Sequence, residues 1–192
     1  PFTTSTMQQD ANRRLNFRTR KTMMTAQMLY EGIDIKQGAP VGLITYMRTD
    51  STRIASIAKH EVSKFIHEEY GGQYAAVKPI KGKLPEGAQD AHEAIRPTSV
   101  FRTPAKMKPY LTNDQYKLYS LIWSRFVASQ MTPEVIDTMN VNLQQNNVDF
   151  RASGSKVKFA GFTKVYKRGK EKDNLLPELK EGDNAQMISD DP

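Results

Sequence analysis

The stretch GLITYMRTDSTR at residues 42–53 places three reactive side chains directly after an apolar run. They are the phenol of Tyr46, the guanidinium of Arg48 and the carboxylate of Asp50. The apolar run predicts a short buried strand, and the polar residues after it are types that often cap a helix N-terminus. Because a helical pattern follows, the stretch predicts a strand end beside free backbone N–H groups, an arrangement that favours phosphate.

Tyr46 and Arg48 together indicate chemistry on a phosphate group. A tyrosine hydroxyl can act as a nucleophile that forms a covalent intermediate. An arginine two residues along can hold the attacked phosphate through paired hydrogen bonds. The pair therefore predicts phosphoryl transfer to tyrosine. The alternative, from these two residues alone, is a core tyrosine on a strand next to a surface arginine, since buried tyrosines are ordinary.

Three strings, in this order along the chain, resemble one family of enzymes. They are PFTTSTMQQ at residues 1–9, LITYMRTDST at residues 43–52 and DAHEAIRPT at residues 90–98. The second string closely resembles the catalytic-tyrosine motif of type IA DNA topoisomerases, the bacterial topoisomerase I family. The first and third resemble that family's stretches upstream of the tyrosine and around a downstream histidine. The resemblance runs from residue 1 to about residue 166.

The resemblance implies an α+β fold in two parts. Residues 1–132 would form the mainly helical domain that carries the tyrosine, with a winged-helix (CAP-like) arrangement. Residues 133–192 would form part of the β-rich hinge domain of an arch, whose other half lies upstream of Pro1. The sequence would therefore be the central piece of a longer protein.

The resemblance also assigns roles to four residues in transient DNA cleavage. Tyr46 would attack a phosphodiester in single-stranded DNA, become joined to the 5′ phosphate and release a 3′ hydroxyl that later reseals the break. Arg48 would orient and neutralise the scissile phosphate. Asp50 would fix Arg48 or shuttle protons, and His92 would contact DNA phosphate. Strand passage through the break would relax negatively supercoiled DNA without a nucleotide cofactor.

One part of the family's site has no counterpart in this sequence. The family carries an acidic domain with a Mg²⁺ cluster and a catalytic lysine, and Asp190 and Asp191 do not match it. We therefore expect Mg²⁺ to bind outside this chain, in the remaining domains of the same polypeptide, and the chain alone to be inactive. No metal site is predicted within it, since His60 and His67 lack further ligands nearby in the sequence.

The composition is typical of an intracellular protein with a polyanionic partner. The sequence has no cysteine, which excludes disulfides and cysteine-ligated zinc, and it has a net charge of +7. Residues 1–132 hold 19 Lys and Arg against 11 Asp and Glu, whereas residues 133–192 hold 9 against 10. The basic character therefore lies with the tyrosine. No apolar run approaches the roughly 20 residues that span a bilayer, so a cytoplasmic location on the bacterial nucleoid is expected.

A basic cluster near the N-terminus is predicted to contact DNA phosphates, because no acid occurs between Asp10 and Glu31. Such contacts position a strand without reading its sequence. The alternative is a solvated helical surface. Thr49, Ser51 and Arg96 are added as candidate DNA contacts from the motifs. The cluster consists of Arg13, Arg14, Arg18, Arg20 and Lys21.

Hydrophobic periodicity predicts helices in the first part and strands in the second. The predicted helices span residues 7–15, 22–30, 54–70, 104–110 and 112–130. In the third helix the core face is predicted to be Ile54, Ile57, Ala58, Val62, Phe65 and Ile66. After Pro133, β-type runs are predicted at 135–143, 148–152, 157–159 and 162–166, with turns at 144–147 and 153–155. A further helical turn is predicted to end at Pro97.

Two alternatives stay open. One is a fragment of a decatenating topoisomerase III or a reverse gyrase, whose tyrosine motifs are similar, although the long agreement through Thr98 favours topoisomerase I. The other is a helical DNA-binding module without chemistry, in which Tyr46 is a core or stacking residue. Formation of a covalent DNA adduct separates the enzyme from this module.

Overall fold

The structure, a computed structural model, describes residues 1–76, 92–145, 147–167 and 174–184. The chain divides into two compact units, Pro1–Pro133 with Phe162–Lys167, and Glu134–Gly161 with Arg168–Pro192. Within the described ranges the first unit holds five α-helices and the second holds a two-stranded antiparallel sheet. The predicted α+β, mainly helical fold is confirmed. None of the described helices is long and apolar enough to cross a membrane.

The first two helices, α1 (Thr4–Leu15) and α2 (Thr19–Glu31), extend a few residues beyond their predicted bounds. A capping box starts α1, because Thr3 accepts the Thr6 N–H and the Thr6 hydroxyl accepts the Thr3 N–H. Asn16, in the left-handed region with φ 57°, ends the helix. The two helices bury Met7, Ala11, Ala26 and Leu29.

The third helix, α3 (Ser56–Tyr70), begins later than predicted, and no side chain caps it. Its buried residues are Ala58, Val62, Phe65 and Ile66, as predicted. The placement of Ile57 on the core face is wrong, since its side chain is 73% exposed. Ile57 lies one residue before Ala58, about 100° around the helix from the buried stripe, and shares the exposed side with Lys64.

The long helix α5 (Asn113–Ala128) forms the centre of the first unit. Thr112 and Gln115 form its capping box, and the helix lies within the predicted span of 112–130. The preceding residues form the short α4 (Pro104–Met107) and a 3₁₀ turn (Lys108–Tyr110), which matches the prediction of a short helix there. The core face of α5 includes Leu118, Tyr119, Ile122, Trp123 and Phe126.

Two polar groups on α5 hold the segment at 100–102. The Trp123 indole N–H donates to the Val100 carbonyl at 2.9 Å, and the Tyr119 hydroxyl donates to the Arg102 carbonyl at 2.5 Å. The Trp123 ring also meets Phe65 of α3 edge-to-face, with ring centroids 5.5 Å apart. These contacts satisfy buried donors while joining two helices and a loop into one core.

The last part of the first unit is residues 162–167, which return to α1. The Tyr166 hydroxyl donates to the Asp10 carboxylate, and the Arg14 guanidinium lies 4.2 Å from the centre of the Tyr166 ring. The prediction of a strand at 162–166 is wrong, because Gly161–Lys164 is a 3₁₀ turn. The anchoring of Tyr166 on α1 explains why this short segment belongs with the helices.

The second unit contains a hairpin of β1 (Val135–Gln145) and β2 (Val148–Phe159). Met139 pairs with Gly154, so β2 runs unbroken through the predicted turn at 153–155. The predicted turn is wrong, because Gly154 lies within the strand and allows residues 174–176 to pack closely against it. A Cβ there would lie 2.8 Å from the Leu176 side chain, and Ser155 N–H donates to the Asn174 carbonyl at 2.7 Å.

Burial raises the pKa of Tyr119 above its ordinary value of 10.0, against a smaller opposing effect of the Arg102 charge. Above about pH 10 the unfolded chain loses this proton while the native state keeps it, so the free energy of unfolding falls as pH rises. We expect Tyr119→Phe to cost about 1 kcal/mol at neutral pH, and the loss to shrink toward about pH 11. Urea denaturation at neutral pH and at about pH 11 measures the free energy of unfolding of wild type and variant. Tyr110→Phe, at a more exposed tyrosine, is the control. A constant difference between wild type and Tyr119→Phe contradicts this.

Candidate active site

Two extended segments hold Tyr46 in place. Thr45 N–H donates to the Arg96 carbonyl at 2.9 Å, and Thr98 N–H donates to the Leu43 carbonyl at 3.0 Å. The pairing amounts to an isolated bridge between Ile44 and Pro97, so the predicted strand is extended but not part of a sheet. The prediction of a helical turn ending at Pro97 is wrong. A residue before proline favours extended backbone, and Arg96 follows that preference.

The Thr45 side chain adds two hydrogen bonds to this backbone pairing. It donates to the Ala94 carbonyl at 2.7 Å and accepts the Arg96 N–H at 3.0 Å. Thr45 therefore supplies backbone and side-chain bonds to one short stretch of the histidine motif. This connection brings two motifs that are about 50 residues apart in sequence to the same place.

Exposure alternates along the tyrosine motif. Tyr46, Arg48 and Asp50 are exposed, with Tyr46 at 38%, whereas the intervening Met47 and Thr49 are buried. The backbone bends at Met47 and Arg48, so the alternation comes from an irregular segment along the core surface and not from a strand. The three residues predicted to be reactive are therefore the ones that the backbone presents to solvent. The helix predicted to follow from about Ile54 begins at Ser56, and no side chain caps it.

Two aromatic rings flank Tyr46. The ring of Tyr30, from the end of α2, meets it edge-to-face with centroids 5.4 Å apart. The centroid of the His92 ring lies 5.9 Å from that of Tyr46, with 34° between the ring planes. The structure thus brings His92 to Tyr46, as the resemblance implied, and adds Tyr30, which the sequence did not single out. Its only sequence signal is an aromatic residue at the end of an amphipathic helix.

The end of α2 lies directly against the tyrosine motif. Leu43 N–H donates to the Leu29 carbonyl at 2.7 Å. A Cβ on Gly42 would lie 2.7 Å from the Tyr30 carbonyl oxygen, so only glycine permits this approach. The close approach explains why Tyr30 reaches the Tyr46 ring.

Arg48 and Asp50 do not pair with each other in the part of the chain that the structure describes, and neither has another ion pair there. That Asp50 fixes Arg48 or shuttles protons stays a prediction. An exposed guanidinium without a protein carboxylate remains available to an anionic ligand such as phosphate.

The predicted basic cluster divides into residues with internal partners and residues without. Arg13 and Arg14 both pair with Asp10, at 2.7 and 3.4 Å, and Lys21 pairs with Asp114 at 2.7 Å. Arg14 is also packed on the Tyr166 ring. The two that are exposed and free of ion pairs among the described residues are Arg18 and Arg20.

Three predicted DNA contacts are largely buried, and their observed bonds are internal. Thr49 is 7% exposed and its hydroxyl accepts the Ser51 N–H; Ser51 is 3% exposed and its hydroxyl accepts the Arg53 N–H. Arg96 pairs with Glu93 at 2.7 Å and donates to the Pro97 carbonyl. These bonds stabilise the turn after the tyrosine and the histidine segment. Direct DNA contact by these residues stays a prediction.

The described ranges contain no group of three or more His, Asp or Glu that could hold a metal ion. His60 and His67 are exposed on α3. The residues present therefore do not form a Mg²⁺ site within the parts of the chain that the structure describes, and the chemistry below uses no metal bound there.

An exposed tyrosine in ring contact with a histidine and a second tyrosine, near an arginine that has no ion pair among the described residues, is a candidate nucleophile site of the kind expected in DNA topoisomerases. A family model described as DNA topoisomerase matches residues 1–191. The chain belongs to this family, the bacterial type IA DNA topoisomerases.

A solved structure supports the same assignment. Full-length topoisomerase I from Thermotoga maritima is similar, with a TM-score of 0.82 and 42% sequence identity over 95% of this chain. The chain spans 29% of the length of that protein.

The Thr45 hydroxyl generates a stability prediction. Thr45→Val keeps the side-chain shape but leaves the Ala94 carbonyl and the Arg96 N–H without this partner, which should cost about 1–3 kcal/mol. Thr98→Val is the matched control, since the exposed Thr98 hydroxyl donates only to the Gly42 carbonyl and accepts a longer bond from Arg102. Chemical denaturation compares the two variants. Equal losses show that the Thr45 hydroxyl does not have the special role inferred for it.

Proposed function

We propose that this chain is the tyrosine-bearing part of a bacterial topoisomerase I that relaxes negatively supercoiled DNA by transient cleavage of one strand. The observation that carries the proposal is the exposed Tyr46 in ring contact with His92 and Tyr30. Arg48, two residues along, is exposed and has no ion pair with any residue that the structure describes. The similarity to topoisomerase I along 95% of the chain supports this enzyme over a topoisomerase III or a reverse gyrase.

In the proposed reaction the Tyr46 hydroxyl oxygen attacks the phosphorus of a phosphodiester in single-stranded DNA. A bond forms between that oxygen and phosphorus, and the bond from phosphorus to the 3′ oxygen breaks. The tyrosine proton is removed and the departing oxygen is protonated to a 3′ hydroxyl. Attack by this hydroxyl on the phosphotyrosine reverses the step, so no nucleotide cofactor is consumed.

Arg48 is proposed to hold the scissile phosphate. Its planar guanidinium can donate two parallel hydrogen bonds to phosphate oxygens and neutralise charge that develops on them. His92 lies within ring contact of Tyr46 and would bind a neighbouring phosphate. Asp50 is close in sequence and exposed, so it remains a proposed neighbour that exchanges protons or pairs with Arg48 once DNA is bound.

The chain is proposed to be incomplete as a catalyst. A phenol is a weak acid, so attack needs a group that takes its proton and a second group that protonates the 3′ oxygen. The geometry around Tyr46 does not assign the second group to a described residue. We propose that an acidic, Mg²⁺-binding domain elsewhere in the same polypeptide supplies it, inside the cell on the bacterial chromosome.

The bound strand is proposed to extend from Tyr46 along α2. Tyr30 and Arg20 are ten residues apart on this helix, which is about 15 Å along its axis. Arg18 lies at the same end as Arg20. Positive charge at that distance from the nucleophile would bind phosphates of the same strand without reading its bases.

The covalent adduct tests the chemistry. In the complete polypeptide that carries this sequence, Tyr46→Phe should abolish adduct formation with labelled single-stranded DNA and leave DNA affinity within about twofold, because only one hydroxyl is lost. Denaturing electrophoresis detects the adduct. The 192-residue chain alone, with Mg²⁺ added, should form none.

Two outcomes contradict this proposal. Adduct formation by the Tyr46→Phe enzyme would show that another residue is the nucleophile. If the unmodified complete polypeptide binds DNA but forms no adduct, the alternative of a non-catalytic DNA-binding module is favoured instead.

Binding by the chain itself tests the proposed strand path. The double variant Arg18→Gln, Arg20→Gln should weaken binding to single-stranded DNA and reduce the salt dependence of log Kd by roughly 0.7 per lost phosphate contact. Lys156→Gln, Lys158→Gln on β2 removes the same charge and serves as the control. Fluorescence anisotropy at several salt concentrations measures both. An equal effect in the control shows that total charge, and not this cluster, determines binding.

A further inference from the structure

The first turn of α1 binds the tyrosine motif directly. The Thr4 hydroxyl donates to the Met47 carbonyl at 2.8 Å and lies 3.0 Å from the Thr49 carbonyl. It also accepts the Thr49 N–H at 2.8 Å. In addition, Thr4 N–H donates to the Thr49 carbonyl at 2.8 Å. One threonine therefore binds the backbone on both sides of Arg48.

These bonds are separate from the capping of the helix. The Thr3 and Thr6 hydroxyls cap α1 between them. Thr4, at the first helical position, is not needed for that purpose, and its hydroxyl is directed to the 47–49 backbone instead. The neighbouring threonines of the motif thus have different tasks, one pair for the helix and one residue for the loop.

The tyrosine motif is consequently held from two sides. Thr45 binds the histidine segment just before Tyr46, and Thr4 binds the backbone just after it. Between these attachments the side chains of Tyr46 and Arg48 are exposed. A nucleophile and a phosphate ligand that must meet one phosphodiester need a fixed separation, since a displacement of about 1 Å can slow a reaction by about a hundredfold.

We infer that Thr4 is a positioning residue, which holds the backbone of Tyr46 and Arg48 in the geometry for DNA cleavage. This inference rests on the proposed function, because it concerns the same reaction. Thr4 does not touch the reacting atoms, so its effect reaches them through the 47–49 backbone. The role belongs to the upstream motif at residues 1–9, to which neither the sequence nor the family resemblance assigned a task.

The test uses the complete polypeptide and single-turnover cleavage of labelled single-stranded DNA. Thr4→Val keeps the β-branched shape and removes the hydroxyl, Thr4→Ser keeps the hydroxyl, and Thr6→Val removes a hydroxyl that serves only the helix cap. Tyr46→Phe is included as the reference without a nucleophile. DNA affinity is measured for each variant by anisotropy.

We expect Thr4→Val to cleave at least about tenfold more slowly with DNA affinity within about twofold, since binding groups remain while their geometry is lost. Thr4→Ser should recover most of the rate, and Thr6→Val should stay within about twofold of wild type. Thr4→Val as fast as Thr6→Val overturns the inference, and so does slow cleavage by Thr4→Ser equal to that of Thr4→Val. Cleavage by Tyr46→Phe overturns the proposed function itself.

A measurement on the unmodified enzyme does not depend on the folding of any variant. The Thr49 amide donates to the Thr4 hydroxyl, so its hydrogen exchange should be at least about tenfold slower than that of the exposed Thr52 amide. Residue-resolved exchange by mass spectrometry or NMR gives both rates. Equal exchange at the two amides shows that the Thr4 contact does not persist in solution and overturns the inference.

Discussion

The hydrogen bonds between Thr45 and residues 94–96 are the constraint on which the site depends. They join the tyrosine motif to the histidine motif, although 49 residues separate Thr45 from Ala94. The Thr45 hydroxyl donates and accepts at once, so that two backbone groups of the partner segment are satisfied by one side chain. Together with the bonds from Ala94 N–H to the Arg53 carbonyl and from Thr98 N–H to the Leu43 carbonyl, this pairing places His92 beside the Tyr46 ring.

Hydroxyl side chains form many of the hydrogen bonds that fix the backbone near Tyr46. Thr49 and Ser51 each bond a backbone N–H two residues on, which stabilises the turn between the motif and α3. Thr4 reaches the same turn from α1. Threonine and serine suit this task because a short side chain with both donor and acceptor capacity can replace secondary structure where the backbone is irregular.

The arginines fall into two groups, those paired within the chain and those exposed to solvent. Arg96 is 9% exposed and paired with Glu93, and Arg14 lies between Asp10 and the Tyr166 ring. Both charges are therefore taken up by contacts within the chain. Arg48, Arg18 and Arg20 are exposed and have no ion pair in the described part of the chain, so their charges remain available to a ligand. Residue type and position in a motif alone could not distinguish these two groups.

Local patterns in the sequence determined the helices, the family and the identity of the exposed tyrosine. Apolar spacing predicted α5, because the pattern acts over a few neighbouring residues. Only the tertiary structure decided the contacts of Tyr30, the attachment of Thr4 and the unbroken course of β2 through Gly154. These depend on backbone groups that are tens of residues apart in sequence, and the hydrogen bonds that satisfy them leave no period in the sequence. The same reason explains the wrong expectation of a helical turn ending at Pro97, where pairing with the distant residues 43–45 decided the outcome.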